Sequence, residues 1–180
     1  NFVNSYGNTV KIQPGTLGWS IAANNETEQI YKEIIAGEDV TRDIEYDSEA
    51  PSWGDNDIGN TYVEISIDNQ HMWYYKNGKL LVDTDVTTGT SSTGHDTPRG
   101  AFYLNNKQMN VTLVSTNPDD PYESKVTYWL PFKGNTYGIH DASWRSSYGG
   151  SYYIYNGSHG CVNTPFNSVK TIYENITVGT

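Results

Sequence analysis

The change of sequence period at residue 61 constrains the fold more than any other feature. Tyr62, Glu64 and Ser66 alternate with Val63, Ile65 and Ile67, and a period of two marks a strand with one buried face. Asp68-Asn69 breaks the run, Met72-Trp73-Tyr74-Tyr75 resumes it, and Lys76-Asn77-Gly78-Lys79 carries the Asn-Gly signal of a tight hairpin. Leu80-Leu81-Val82 and Val86-Thr87-Thr88 continue the meander, and further short strands are expected over 100–105, 111–115, 125–132 and 136–140. One late helix is expected over 165–175, with Pro165 near its first turn and Val169, Ile172 and Tyr173 on one face. Many short strands, frequent turn signals and a single late helix predict a mainly-β sandwich or barrel-like domain without internal repeats.

The first sixty residues read differently. Asn25 is placed to cap a helix with Glu28 at capping-box spacing, Ile30, Tyr31, Ile34 and Ile35 supply an apolar face, and Gly37 ends it. One such helix cannot bury its face alone, so residues 1–37 read as the tail of a preceding domain. Residues 38–60 hold Glu38, Asp39, Asp43, Glu45, Asp47, Glu49, Asp55 and Asp57 with Pro51, Gly54 and Gly59, and read as an acidic linker. Residues 1–60 carry eleven acids against three bases, whereas 61–180 carry ten against eight, so the charge changes where the period does.

The net charge of −10 argues against nucleic acid as a partner, since phosphate recognition needs clustered Lys and Arg. No apolar run approaches the ~18–20 residues of a membrane span. Asn1-Phe2-Val3 is not a natural start, so any export signal or membrane anchor is expected upstream. Only 18% of residues are charged while Tyr and Gly abound, a surface that suits an exported protein. Cys161 is the one cysteine, which excludes a disulfide framework and a multi-thiolate zinc site.

The surroundings of Cys161 point to chemistry. Gly138-Ile139-His140-Asp141 is followed by a Gly- and Tyr-rich stretch and then by Gly157-Ser158-His159-Gly160-Cys161-Val162-Asn163. A thiol attacks as thiolate and needs a base or cation nearby, and residues 141–157 can loop out and return to bring His140 to it. That excursion leaves an aromatic flap beside the thiol. Glycine at 160 lets backbone N–H groups approach a reacting oxygen.

His140, a seventeen-residue spacer and Ser158-His159-Gly160-Cys161-Val162-Asn163 resemble the signature of the L,D-transpeptidase catalytic domain. Thr97-Pro98-Arg99-Gly100-Ala101-Phe102 is similar to that family's Thr-Pro-x-Gly-x-Phe strand, and residues 62–78, with Gln70 and Gly78, to its opening hairpin. The likeness spans 61–180, and the helix and linker before it resemble the end of the peptidoglycan-associated domain of some Gram-positive members. Family members continue beyond Gly179-Thr180 into an apolar strand, so a final strand is expected to be missing.

The resemblance implies an L,D-transpeptidase-type β-sandwich and an extracytoplasmic bacterial cell-wall enzyme. Cys161 would attack the donor stem tetrapeptide before its terminal D-Ala and form a thioester, and an acceptor amine would resolve it into a cross-link. His140 would move the proton, oriented by a backbone carbonyl or by Asp141. Carbapenem β-lactams are implied as covalent inhibitors, and neither metal nor organic cofactor is expected. Ser158 reads as an orienting hydrogen bonder. His159 reads either as a holder of a substrate carboxylate or as a strand-bonding side chain, and Asn163 either as a substrate binder or as a turn former. Tyr122 resembles a position near the donor site, and Trp144 and Tyr148 are placed to cover the stem peptide. His71 and His95 read as surface or core histidines.

Two other readings stay open. A cysteine peptidase acting on peptidoglycan, either L,D-carboxypeptidase or endopeptidase, would use the same thioester; papain-like enzymes, however, place Cys before His. Sortases keep the order found here but need an Arg after the thiol, and only Lys170 follows Cys161. The third reading is a wall-binding module with an inert thiol.

Overall fold

The computed structural model describes residues 1–53, 57–115 and 117–180; Gly54 and Asp55 of the acidic stretch lie outside the described residues. Near the N-terminus β1 (Phe2–Val3) pairs with β2 (Thr9–Val10), and β3 (Ser20–Ile21) leads into α1 (Ala23–Ala36) and returns to pair with β4 (Tyr46–Ser48). The alternating segment then forms an antiparallel meander of β5 (Tyr62–Ser66), β6 (His71–Lys76) and β7 (Lys79–Asp85). Asn77 and Gly78 close its hairpin with φ of 51° and 75°, the left-handed conformation that a two-residue type I′ turn requires. A second sheet follows with β8 (Gln108–Val114), β9 (Glu123–Lys133) and β10 (Tyr137–Asp141). After a short helix α2 (Tyr153–Asn156), β11 (Val162–Thr164) completes this sheet in the order β11-β10-β9-β8, and α3 (Phe166–Asn175) follows.

The two sheets and α3 bury one core. Met72, Tyr74 and Val82 from the meander meet Tyr128, Leu130, Ile139 and Val162 from the second sheet, and Val169, Ile172 and Ile176 close it from the α3 side. Each fully buried side chain of this size contributes about 1.5–3 kcal/mol. Fold class and late helix agree with the expectation of a mainly-β sandwich.

Several local expectations are corrected. Residues 100–105 form no regular ladder; Leu104 instead bonds Gly179 and Thr180, and Asn105 N–H bonds Pro131 O. Residues 86–88 contribute only a single bridge, Thr87 to Asn163. Helix α1 starts at Ala23 without a side-chain cap, because Asn25 Nδ2 donates to Glu45 Oε1 (3.1 Å) and the first turn is held instead by the buried Glu26 carboxylate. Glu26 Oε1 accepts from Arg42 Nη1 (2.9 Å) and from Glu45 N–H (2.7 Å). Gly37 caps the other end at φ 65°, as expected. The acidic stretch is not bare spacer throughout: Tyr46–Ser48 pairs with β3, and the Trp53 ring stacks on Trp19 at 3.8 Å.

The first residues lie on the outer face of the meander. Tyr6 meets Trp73 edge-on at 5.0 Å, Phe2 meets Tyr62 at 5.4 Å, and Ser5 N–H and Oγ both donate to the Glu64 carboxylate. Among the described residues no helix is long and apolar enough to cross a membrane.

Candidate active site

Parallel pairing of β10 and β11 explains why a histidine must precede the cysteine by about twenty residues. Parallel neighbours need a crossover of a dozen or more residues, and here residues 142–161 supply it. In register, Ile139 faces Val162 and His140 faces Asn163. Side chains alternate along a strand, so Ile139 and Val162 enter the core, while Gly138, His140, Cys161 and Asn163 share the other face. His140 and Cys161 are thus diagonal neighbours. Trp129 of β9, paired with His140, lies beneath this face at 5.8 Å between ring centroids. A Cβ on Gly138 would sit 2.6 Å from the Trp129 ring, so glycine is required where Trp129 passes beneath the thiol.

Three neighbours set the state of His140. Its Nδ1–H donates to Asp141 O at 2.8 Å. The Asn163 amide, oriented by its hydrogen-bond partners, donates to His140 Nε2 (3.2 Å), while its oxygen accepts from Arg145 Nε (2.6 Å) and Nη2 (3.3 Å). The ring is 3% exposed, and burial first, then Arg145, lowers its pKa against the opposing pull of Asp141. The result is a neutral imidazole with its lone pair at Nε2. Orientation therefore comes from the Asp141 backbone carbonyl. The Asp141 carboxylate does not reach the imidazole, because its Oδ1 accepts from Thr127 N–H (2.8 Å) and Tyr128 N–H (2.7 Å).

Cys161 is 6% exposed, and burial pushes its thiol up to about 11, offset in part by the Gly138 N–H. Its Sγ donates to Thr136 O at 3.5 Å. Both groups are desolvated, which raises the thiol and lowers the imidazole, so the resting pair is neutral. Ser158 Oγ donates to Cys161 O and accepts from Gly160 N–H (3.0 Å), which braces the loop and occupies the Gly160 donor expected for an oxyanion. Gly160 has φ 110°, and a Cβ there would lie 2.5 Å from the Tyr137 ring. Thr97 of the Thr-Pro-Arg-Gly segment donates to Gly160 O (2.8 Å) and accepts from Gly89 N–H (2.9 Å), tying this loop from the other side.

His140, Ser158, Cys161 and Asn163 line a cleft of about 290 Å³ that also takes in Tyr122, Trp144, Arg145 and His159. Trp144 is exposed, with its ring 5.9 Å from His140, and Tyr122 stacks on His159 at 4.6 Å. Asn163 borders the cleft but is 2% exposed and committed to His140 and Arg145, so it holds the imidazole in place. Tyr148 leaves the cleft, its hydroxyl donating to Ala142 O. Arg145 was missed by sequence reasoning. Its Nη1 and Nη2 donate to Asn156 O (2.7 Å) and Gly157 O (2.9 Å), pinning the flap. The available signal was its standing as the only charge in residues 142–157.

His140 and Cys161 thus lie buried on one face of a parallel strand pair, beneath a pinned flap on a β-sandwich. The family model of the L,D-transpeptidase catalytic domain (YkuD) matches residues 60–180. The crystal structure of a cysteine-to-serine mutant of the Enterococcus faecium L,D-transpeptidase is 40% identical, covers 99% of this chain and 71% of its own, and superposes with a TM-score of 0.82. The solution structure of the E. faecium catalytic domain acylated by ertapenem is 45% identical over 68% of this chain and 95% of its own, with a TM-score of 0.61. A Mycobacterium smegmatis L,D-transpeptidase, 24% identical over 63% of this chain and 52% of its own, shares the fold at a TM-score of 0.52. No curated protein sequence matched in the same comparison. The chain belongs to the L,D-transpeptidase family, and residues 60–180 are its catalytic domain.

Proposed function

We propose that Cys161 is the nucleophile and His140 the proton carrier of a peptidoglycan L,D-transpeptidase acting outside the cytoplasm. The observation that carries this reading is that His140, its Nδ1–H held by Asp141 O and its Nε2 turned to the Asn163 amide, shares one sheet face and one cleft with the Cys161 thiol. Once the Asn163 amide releases Nε2, that nitrogen takes the thiol proton as Sγ bonds to the carbonyl carbon between the third stem residue and its terminal D-Ala. The carbonyl bond to the D-Ala nitrogen then breaks, and the imidazolium returns its proton to that amine. An acceptor amine attacks the thioester carbonyl and gives a proton to Nε2, the C–S bond breaks, and the imidazolium returns that proton to Sγ to restore the thiol.

Stem peptides are the substrates in this reading, and carbapenems are covalent inhibitors because a strained lactam offers the same carbonyl. Residues 1–37 close an upstream peptidoglycan-associated domain and 38–60 connect it. In support, the longer E. faecium structure aligns over 99% of this chain and the isolated catalytic domain over 68%. Intact-mass spectrometry tests the function. A carbapenem should add one adduct to the protein and none to Cys161→Ala, and a tetrapeptide donor should release D-Ala only with Cys161 present. A pentapeptide donor used as well as the tetrapeptide, with no carbapenem adduct, would leave a general cysteine peptidase as the better account.

A further inference from the structure

Outside the Cys-His pair, the structure gathers a second set of donor atoms at the mouth of the cleft. His95 Nε2 lies 2.9 Å and His159 Nε2 3.2 Å from the same oxygen, Asp120 Oδ2. All three ligand atoms fall within 4.8 Å of one another. In a tetrahedral site with bonds of about 2.0–2.1 Å, neighbouring ligand atoms stand roughly 3.3 Å apart, so little movement is needed to close around an ion.

The support for these groups is built in. Thr93 Oγ1 donates to Thr90 O (3.0 Å), which leaves its lone pair to accept from His95 Nδ1 at 2.8 Å. That bond turns Nε2 outward as the free ligand atom, the arrangement found around metal-bound imidazoles. The loops carrying His95 and His159 are held together by Thr97 bonding Gly160 O and Gly89 N–H, and by the bridge of Gly89 to Ser158. The His159 ring is flanked by His95 and Tyr122, each at 4.6 Å. Asp120 N–H bonds Asn117 O in the connection between β8 and β9.

We infer that His95, Asp120 and His159 form a binding site for a borderline divalent transition ion of the zinc class. Two imidazoles and one carboxylate suit such ions and disfavour magnesium or calcium, which prefer all-oxygen shells. Three protein ligands leave a fourth position open to the cleft. An ion there clamps the β8–β9 connection to the nucleophile loop. The inference does not depend on the transpeptidase reading, since the proton transfer and thioester proposed there run through His140 and Cys161 and through none of the three ligands.

The test uses the full chain as Cys161→Ala, so that the thiol cannot bind the ion. Zinc is titrated by calorimetry, and cobalt is added as a spectroscopic probe of tetrahedral coordination. One equivalent should bind, with visible cobalt bands and a raised melting temperature. Adding Asp120→Ala or His95→Ala should abolish the bands and weaken zinc by more than 100-fold. Thr93→Ala should weaken it by roughly 10–100-fold, as loss of an outer partner does. His71→Ala, which removes the other histidine–carboxylate cluster (with Asp83 and Asp85), should change nothing. Absence of zinc binding at millimolar concentration would overturn the inference. So would binding that survives both Asp120→Ala and His95→Ala, or binding that is lost in His71→Ala. Circular dichroism confirms that each variant is folded.

Discussion

Alkylation of Cys161 across pH separates a thiolate present at rest from one made during reaction. Burial places this thiol at about 11, against about 8.5 for a free cysteine. Near pH 7 such a thiol is ionised in about one molecule in 10⁴, compared with about 3% for a free one, a deficit of roughly 300-fold. The rarer thiolate is also the stronger nucleophile, by about tenfold for a Brønsted slope of ~0.4–0.5. A small neutral alkylating agent should therefore modify Cys161 about 30-fold more slowly than it modifies a free thiol. Intact-mass kinetics should show the rate still climbing through pH 9. His140→Ala should leave that profile unchanged while acylation by a stem-peptide donor falls ~10²–10⁴-fold. A plateau below about pH 8 that disappears in His140→Ala would show a resting ion pair and refute the argument.

The same burial has a signature in stability. Above about pH 8.5 the unfolded thiol loses its proton while the folded one keeps it to about 11. Folding then becomes less favourable as pH rises through that window, by up to ~3 kcal/mol, relative to Cys161→Ala. His140 acts at the other end. Its lowered pKa means the unfolded ring takes a proton below about pH 6.5 while the folded ring resists, so stability falls as pH drops below that value. Urea titrations of the protein and Cys161→Ala across pH measure the alkaline effect.

Two further substitutions probe the site's supports. Gly138→Ala would drive a methyl group to 2.6 Å from Trp129 and 2.8 Å from Leu130 O, and should cost about 1–3 kcal/mol in urea unfolding; a loss under ~0.5 kcal/mol would show that the strands give way easily. Asn163→Ala leaves His140 Nε2 and Arg145 without their shared partner and should cost about 1–3 kcal/mol of stability. If Asn163 positions the base, kcat for tetrapeptide donors should fall with KM little changed; a rise in KM alone would make it a substrate binder.

The period-two run from residue 61, the Asn77-Gly78 turn and the apolar spacing of 166–175 specify their elements by themselves. In each case a local rule, alternation, left-handed turn residues or helical spacing, agrees with the final packing. That His140 and Cys161 come together was legible for a similar reason, because a parallel crossover needs a long spacer and the motif marks its two ends.

What the sequence could not determine depends on partners distant along the chain. Helix α1 begins where Glu26 finds Arg42 and Glu45, and Asn25 is drawn away to Glu45, although a capping box was spelled out. Residues 100–105 have strand-like composition, yet their backbone bonds are scattered over 16–17, 131 and 179–180, so no ladder forms. Asn163 and Arg145 become supports of the His140 ring only because β11 lies beside β10 and the flap folds back over both. The charge state of the pair was likewise out of reach. Proximity of a base predicts a thiolate, but burial of both groups keeps thiol and imidazole neutral, and desolvation is a property of the assembled tertiary structure.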